Sequence, residues 1–527
     1  MNSLMKSFSI QILMLFLFPF FCQAQGTLDP KKNFCQDSIG KIPVLSNGRI
    51  KPLFVVAKES VAFLFESKPQ NKTDVEIFCL LSLESLGIFQ NLNLKIKIDH
   101  PELRTILGLP ENEKGMNILS LEEQSMKLRS EMVKRKLNDS LKKEMTKVLI
   151  RMQEYRAITQ GLSWTIPHFE NKELTWLPLP QGLNEEKIKL LSSNIQKNPI
   201  THFLLNQATL YEAQKGKNHL LEYYYFKLRP YSWCLIIGIL GILSLYLFPS
   251  PKIGMILLTS IILIQILAII SRVTISGRAP ITNMYETVLF SGFGALIFAT
   301  IFYVIKKQKI YLLAGLSYNV LCLLMMTFAN NMLSPSINPL VPVLRDNFWL
   351  STHVTSVILS YAALALSWML ANLVLLQEIT GKKIFDHYQY NATTPLIYNA
   401  IKVGVVMLTG GVILGGVWAD YSWGRFWGWD PKETWSLIVI LIYAAILHGK
   451  QTSWINPKRF VPITALAFLS VIMAWFGVNY ILASGLHSYG FSEGGAIFIG
   501  SFFLAQITLV IIYLIGARVN KKLSPNS

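Results

Sequence analysis

An all-α polytopic membrane protein is the fold class this sequence predicts, and three observations carry it. Hydrophobic residues make up 52% of the 527 and charged residues only 15%, which is too apolar for an ordinary soluble chain. Apolar runs, several of them uncharged and of the roughly 20 residues that a spanning helix needs, lie at about 232–248, 254–271, 286–305, 310–329, 350–377, 399–418, 435–449, 460–482 and 496–516. Lys and Arg collect on alternate loops between those runs, as the positive-inside rule requires. The prediction is about nine transmembrane helices after a signal peptide and an outer-side, mainly helical soluble domain.

The first 24 residues carry one charge, Lys6, then the apolar run Phe8–Phe21, then Cys22, Gln23 and Ala24. This pattern suits a secretory signal cleaved after Ala24, or an uncleaved anchor, and both put the following residues outside. Residues 25–230 are polar and form the outer-side (periplasmic) domain. Within it Leu128, Met132, Leu137, Leu141, Met145, Val148 and Met152 recur at helical spacing over Leu121–Tyr155, and Ser120 with Glu123 reads as a capping box at the start. A second helical stretch runs from Ile200 to Lys215. His100, His168, His202 and His219 lack metal-ligand spacing and read as surface or core histidines, so this region is expected to dock or shield rather than do chemistry. None of the five cysteines forms a CxxC pair, which leaves a dithiol redox role without support. Cys35 and Cys79 bridge if their compartment is oxidising.

Residues 231–517 form the transmembrane domain and 518–527 a cytoplasmic tail. With the soluble domain outside, Lys252, Lys306–Lys309, Lys382 with Lys383, Lys450–Arg459 and the tail cations Arg518, Lys521 and Lys522 all fall inside. The net charge of +18 therefore belongs to membrane topology. No nucleic-acid recognition module accompanies it, and the partner is a lipid bilayer, the bacterial cytoplasmic (inner) membrane.

Between the sixth and seventh runs lies WADYSWGRFWGWDPKETW, Trp418–Trp435, which holds five of the twelve tryptophans. Glycines, a proline and charges exclude this stretch from an ordinary core. Indoles at a membrane boundary anchor neighbouring helices in many proteins, but five of them with close glycines fit a flat ligand, glycine admitting it to the backbone and indole faces stacking on it. Arg425 and Lys432 stand ready for an anionic group. Asp430 followed by Pro431 reads as the cap of the seventh helix, with loop ordering through Lys432 or backbone amides as the other role open to it. The topology puts His353, at the start of the fifth run, and His487, in the GLHSYG loop after the eighth, on this same face. Two imidazoles there, beside an aromatic floor and a cation for carboxylates, are the parts of a haem site. His448 lies thirteen residues after Trp435, hence about 20 Å deeper, and reads either as a functional intramembrane histidine or as a snorkelling one.

The stretch WGRFWGWDPKETW resembles the tryptophan-rich "WWD" signature of haem-handling membrane proteins of cytochrome c biogenesis, the CcsA (ResC-like) branch in particular. GRAPITNMYET (Gly277–Thr287), FWLSTHV (Phe348–Val354), LIYAAILHGK (Leu441–Lys450) and FGVNYILASGLHSYGF (Phe476–Phe491) match as well, so the resemblance covers about residues 270–517. It implies that His353 and His487 ligate haem iron at the outer face and that His448 is an inner-site ligand. The second inner ligand would come from a CcsB (ResB-like) membrane subunit, because no other histidine lies deep in a run; His387 falls in an inner loop.

The resulting expectation is a haem-transporting and haem-presenting subunit of a cytochrome c synthase (haem lyase). It would hold haem b between His353 and His487, with a porphyrin face on Trp423, Trp427 and Trp429, for thioether attachment to the CxxCH thiols of apocytochrome c. Positioning supplies most of the catalysis in such a step, and no nucleophile of the protein's own is required. Two other readings remain at the sequence level. One is a haem exporter or chaperone without synthase activity. The other is a transporter of another small molecule, for which the glycine-rich LTGGVILGG at 408–416 would mark a discontinuous helix.

Overall fold

A computed structural model describes residues 35, 37–69, 71–87, 92–110, 112–134, 139–170, 173–183, 199–329, 332–340, 346–381, 390–482 and 495–523. The leader, Leu137, His387, the Lys382–Lys383 pair and the GLHSYG loop with His487 lie outside the described residues, as does the side chain of His202. The chain divides into two compact units, one comprising Met1–Ser46 and Ile50–Gly216, the other Asn47–Arg49 and Lys217–Ser527.

The first unit mixes helices with three two-stranded sheets. Lys95–Lys97 pairs antiparallel with Gly115–Asn117, and Thr165–Glu170 with Glu173–Pro178. The single helix expected over 121–155 is instead Ile118–Glu123, Ser125–Lys134 and Asp139–Thr159. Its cap is Asn117, which accepts from Leu119 N at 3.0 Å, so Ser120 sits inside the first turn and makes no capping box. Leu128, Leu141, Met145, Val148 and Met152 nevertheless face the core, all buried as their spacing requires. A Cys35–Cys79 disulfide closes a loop across a sequence separation of 44 residues.

Charge inside this unit is paired. Arg151, buried, donates to the carbonyls of Phe63 (2.9 Å) and Lys97 (2.6 Å), to Glu144 (3.1 Å) and to Asp99 (2.8 Å). Lys147 adds a 3.0 Å contact to Asp99. Burial pushes the Asp99 carboxyl upward, but hydrogen bonds and charge from Arg151 and Lys147 outweigh it and hold the group well below the usual carboxylate range.

The second unit is a helical bundle, and the chain is a multi-pass membrane protein. Among the described residues nine helices are long and apolar enough to cross a membrane: Asn218–Leu247, Lys252–Ser276, Met284–Lys306, Lys309–Phe328, Leu350–Thr380, Thr393–Trp423, Pro431–Gln451, Pro457–Leu482 and Gly495–Gly516. The fifth and eighth are the most enclosed, and the second, seventh and ninth are the least. Buried polar pairs join the spans: Gln265 with Asn319, and Gln506 with Asn372 and Trp368. Hydrogen bonds of this kind hold helices together in lipid, where apolar packing alone gives no preference for a partner.

The sixth span is continuous. One helix runs Tyr390–Trp423 through LTGGVILGG, contrary to the broken helix that a midplane substrate site would use. Its glycines serve packing: a Cβ at Gly411 would lie 2.9 Å from Val357 Cγ2 of the fifth span, and one at Gly404 would lie 2.6 Å from Leu364.

Candidate functional site: an aromatic cavity at one end of the bundle

The fifth span does not begin as a regular α-helix. Leu350–Val354 is a π-helical turn, a conformation that adds a residue to the turn and occurs frequently at functional sites. It carries His353 onto the sixth span. There Nδ1 of His353 is 2.7 Å from the carbonyl oxygen of Gly411, and Trp418 stands 5.9 Å away between ring centroids. A carbonyl only accepts, so Nδ1 holds the proton and the imidazole lone pair is on Nε2. The seat exists because Gly415 has no side chain; a Cβ there would fall on the imidazole ring. Gly416 does the same for Phe426, whose Cζ would be 2.6 Å from such a Cβ.

The tryptophan stretch is two helix ends and a short loop. Trp418 and Trp423 belong to the last turns of the sixth span, which Gly424 ends in the left-handed conformation at φ 68°. Asp430 begins the seventh span, accepting from Lys432 N (2.9 Å) and Glu433 N (3.0 Å). Glu433 returns a bond from Asp430 N (3.2 Å) and takes another from Gly428 N (2.7 Å), a reciprocal capping box with Pro431 at the first helical position. Gly428 leaves no opening for a ligand, because the Arg425 guanidinium lies over it, 3.8 Å from Glu433. Trp429 holds φ 57°, which is rare for a bulky residue.

The third span supplies another wall. Asn283 caps it through Glu286 N at 2.9 Å, and Glu286 is itself buried against Arg272 at 2.7 Å. Arg278, beyond the membrane helices, donates to Asn338 O at 2.6 Å; burial depresses its affinity for a proton, and Glu286 opposes that. The eighth span ends in a second π-helical segment, Met473–Leu482. From it Trp475 donates to Thr287 Oγ1 (3.1 Å) and Asn479 to Met284 Sδ (3.2 Å).

These elements enclose a cavity of about 200 Å³. His353, Trp418, Phe426, Trp427, Trp475 and Tyr361 supply its aromatic lining, Thr282, Asn283, Thr287, Ser436 and Asn479 its polar groups, and Lys432 with Glu433 its charges. Clefts that enclose a drug-sized ligand run to about 300–1,000 Å³, so this cavity is large enough to take one side of a flat macrocycle and not the whole of it. The donor set fits such a ligand: an imidazole lone pair for a metal, aromatic faces, and an ammonium for a carboxylate.

Of the residues singled out in the sequence, His353, Trp427 and Lys432 line the cavity. Trp429 is 69% exposed, its ring edge-on to Trp427 at 5.8 Å. Trp423 is half-buried and outside the lining, Asp430 is a helix cap, and Arg425 is turned to Gly428 and Glu433. His487 lies outside the described residues. His448 is at the opposite end of the seventh span and exposed on the bundle surface, with Trp454 edge-on at 5.4 Å. No cluster of three metal-ligating side chains exists among the described residues. Trp475 escaped the sequence reading because it sits inside an apolar span without periodic signal, and Asn479 entered it only as part of the FGVNYILASGLHSYGF match, with no role of its own.

The fold and cavity define a class, a multi-pass helical membrane protein with an imidazole-bearing aromatic site at one end of its bundle. Residues 281–487 match the family model described as Cytochrome C assembly protein. The chain is 37% identical over 267 residues to cytochrome c biogenesis protein CcsA of Chlamydomonas reinhardtii, covering 48% of this chain and 73% of the relative. It is 36% identical over 239 residues to CcsA of Guillardia theta, covering 41% and 78%. Protein NrfI of Wolinella succinogenes is 35% identical over 237 residues, 42% of this chain and 24% of that longer protein. The chain belongs to the CcsA-type cytochrome c biogenesis family, and its role is in cytochrome c biogenesis.

Proposed function

We propose that this protein carries haem b to the His353 cavity and presents it there for thioether attachment to apocytochrome c. The observation that carries the reading is the His353–Gly411 hydrogen bond, which directs the imidazole lone pair to Nε2 inside an aromatic cavity. His487 is the proposed second iron ligand, and Trp427 and Trp429 the aromatic contacts nearest the cavity mouth. In the bond-forming step each CxxCH thiol adds across a haem vinyl group, sulfur to one carbon and hydrogen to the other, with no leaving group. The chain then needs only to hold the vinyl edge near the thiols and exclude competing orientations.

His448 is proposed as a ligand at an inner haem site. Its exposure on the bundle surface means that haem bound there is open to a second protein, which supports a CcsB/ResB-like membrane subunit as partner. The cavity end is assigned to the outer, periplasmic side of the bacterial inner membrane. Lysine placement between the spans supports this, as does the Cys35–Cys79 disulfide in the soluble unit, since such bonds persist in oxidising compartments.

The test is co-expression with a CcsB-like subunit and a reporter apocytochrome c in a host lacking its own maturation system. Covalent holocytochrome with the wild type, lost with His353→Ala, is the expected result. Haem bound to the protein with no holocytochrome formed would make it an exporter or chaperone, and synthesis unaffected by His353→Ala would remove the cavity from the mechanism.

A further inference from the structure

Two opposite charges are buried side by side in the second and third spans, outside the cavity lining: Arg272 and Glu286, 0% and 1% exposed. Such a pair costs desolvation and is weak evidence for stability, and ionisable residues within a span mark function. Each carboxylate oxygen has its own task. Oε1 accepts from Arg272 Nε at 2.8 Å, while Oε2 accepts from the backbone N–H of Thr282 at 2.8 Å and from its hydroxyl at 2.7 Å. Thr282 and Asn283 form part of the cavity wall. On its other side the guanidinium donates from Nη1 to Pro335 O at 3.1 Å, in the segment 332–340 that leads from the fourth span toward the His353 turn. Three further carbonyls of that segment accept from side chains of other elements: Met332 O from Tyr480 (2.8 Å), Ser336 O from Asn283 (3.4 Å) and Asn338 O from Arg278 (2.6 Å). Leu340 packs on the cluster of Ile281, Leu350 and Trp418, and all three of these line the cavity.

We infer that Arg272 and Glu286 are positioning residues of the haem site: through one carboxylate they hold the Thr282–Asn283 wall and the 332–340 segment in a fixed relation before the ligand arrives. This rests on the function proposed above. Neither residue lines the cavity, so neither is catalytic. A site whose walls are already ordered loses less affinity to ordering them on binding. The geometry needs these two side chains rather than near relatives. A guanidinium reaches Glu286 and Pro335 O at once through its planar fork, and the single ammonium of a lysine does not reproduce that fork. An amide at position 286 accepts on one side only and turns a donor toward Arg272 or the Thr282 N–H on the other.

The experiment titrates Fe(III) protoporphyrin IX into the haem-stripped, detergent-purified full chain, the His353-dependent Soret signal giving affinity and stoichiometry separately. Arg272→Met combined with Glu286→Leu removes both charges at similar volume, an exchange that buried ion pairs commonly tolerate. Arg272→Lys and Glu286→Gln are the conservative variants. All three are expected to keep the wild-type stoichiometry and to bind haem roughly 10-fold more weakly, the low end of the effect of removing a group that orients a metal site. A purely structural pair gives the opposite split: fewer sites, or none where a variant does not fold, at unchanged affinity in the remainder. That split, or wild-type titrations in all three variants, overturns the inference and leaves the haem site intact. A wild type that binds no haem through His353 overturns this inference together with the proposed function.

Discussion

His353 Nδ1 is 2.7 Å from the carbonyl oxygen of Gly411, one helical turn before the glycine whose missing side chain makes room for the ring. The fifth and sixth spans thus hold the imidazole in one tautomer and one place. Gly415→Ala puts a methyl group into the ring's position without touching the histidine. The expected cost is about 1–3 kcal/mol in haem affinity from overpacking, read by titration, with the protein still folded by circular dichroism. Unchanged affinity would mean that the imidazole does not need this seat.

Asp430 separates a capping role from a ligand-binding one. Asp430→Asn preserves the acceptor that caps the seventh span and is expected to leave thermal stability within a few tenths of a kcal/mol. Asp430→Ala removes it and is expected to cost about 1 kcal/mol. If Asn instead abolishes haem binding while stability holds, the carboxylate acts on the ligand directly.

At the other end of the seventh span, His448 is open to the surroundings and Trp454 stands perpendicular to it. The turn bearing Trp454 is fixed: Thr452 closes on His448 O at 2.9 Å, and Ile455 N bonds Gly449 O at 2.9 Å. His448→Ala is expected to remove the haem that co-purifies from cells while leaving the His353 cavity able to bind haem added to detergent-solubilised protein. Trp454→Leu, which keeps the imidazole but removes the ring beside it, is expected to reduce co-purified haem without abolishing it. Quantified haem content per protein distinguishes the three.

The first unit carries a pH dependence of definite sign. Asp99 is held below its ordinary range by Arg151 and Lys147, so its contribution to stability is fully present above the unfolded carboxylate value of about 3.9. That contribution is lost as pH falls from there toward the depressed folded value. Protection of Asp139–Thr159 amides in the full chain, measured against the intrinsic exchange rate at each pH, is expected to fall below about pH 4. Asp99→Asn should flatten that part of the profile and leave faster exchange at neutral pH.

The spans were legible because lipid imposes one rule over some twenty consecutive residues, and hydropathy averages over all of them. The first begins earlier than expected, since the tyrosine-rich Asn218–Leu228 reads as polar and yet forms a helix that leads into the span. His353 and the tryptophan stretch stood out in the sequence by residue type and spacing. Their arrangement did not, because π-helical turns at Leu350–Val354 and Met473–Leu482 leave no periodic mark. Gly428 looked like room for a ligand and Gly415 with Gly416 like part of a helix break, whereas they hold Arg425, His353 and Phe426. A glycine shows that something comes close, and only the fold shows what. In the first unit Asn117 prevails over Ser120 as a cap because Gly115–Asn117 is a strand, which starts the helix directly at its end.

The most direct measurement is an optical spectrum of the detergent-purified protein co-expressed with a CcsB-like subunit, beside His353→Ala, each with and without added imidazole. A low-spin haem spectrum in the wild type, weakened in His353→Ala and restored by imidazole filling the vacated ligand position, is the expected result. A haem spectrum identical in the two proteins, or no haem in the wild type, would contradict His353 as an iron ligand and with it the cavity as the place where haem is presented.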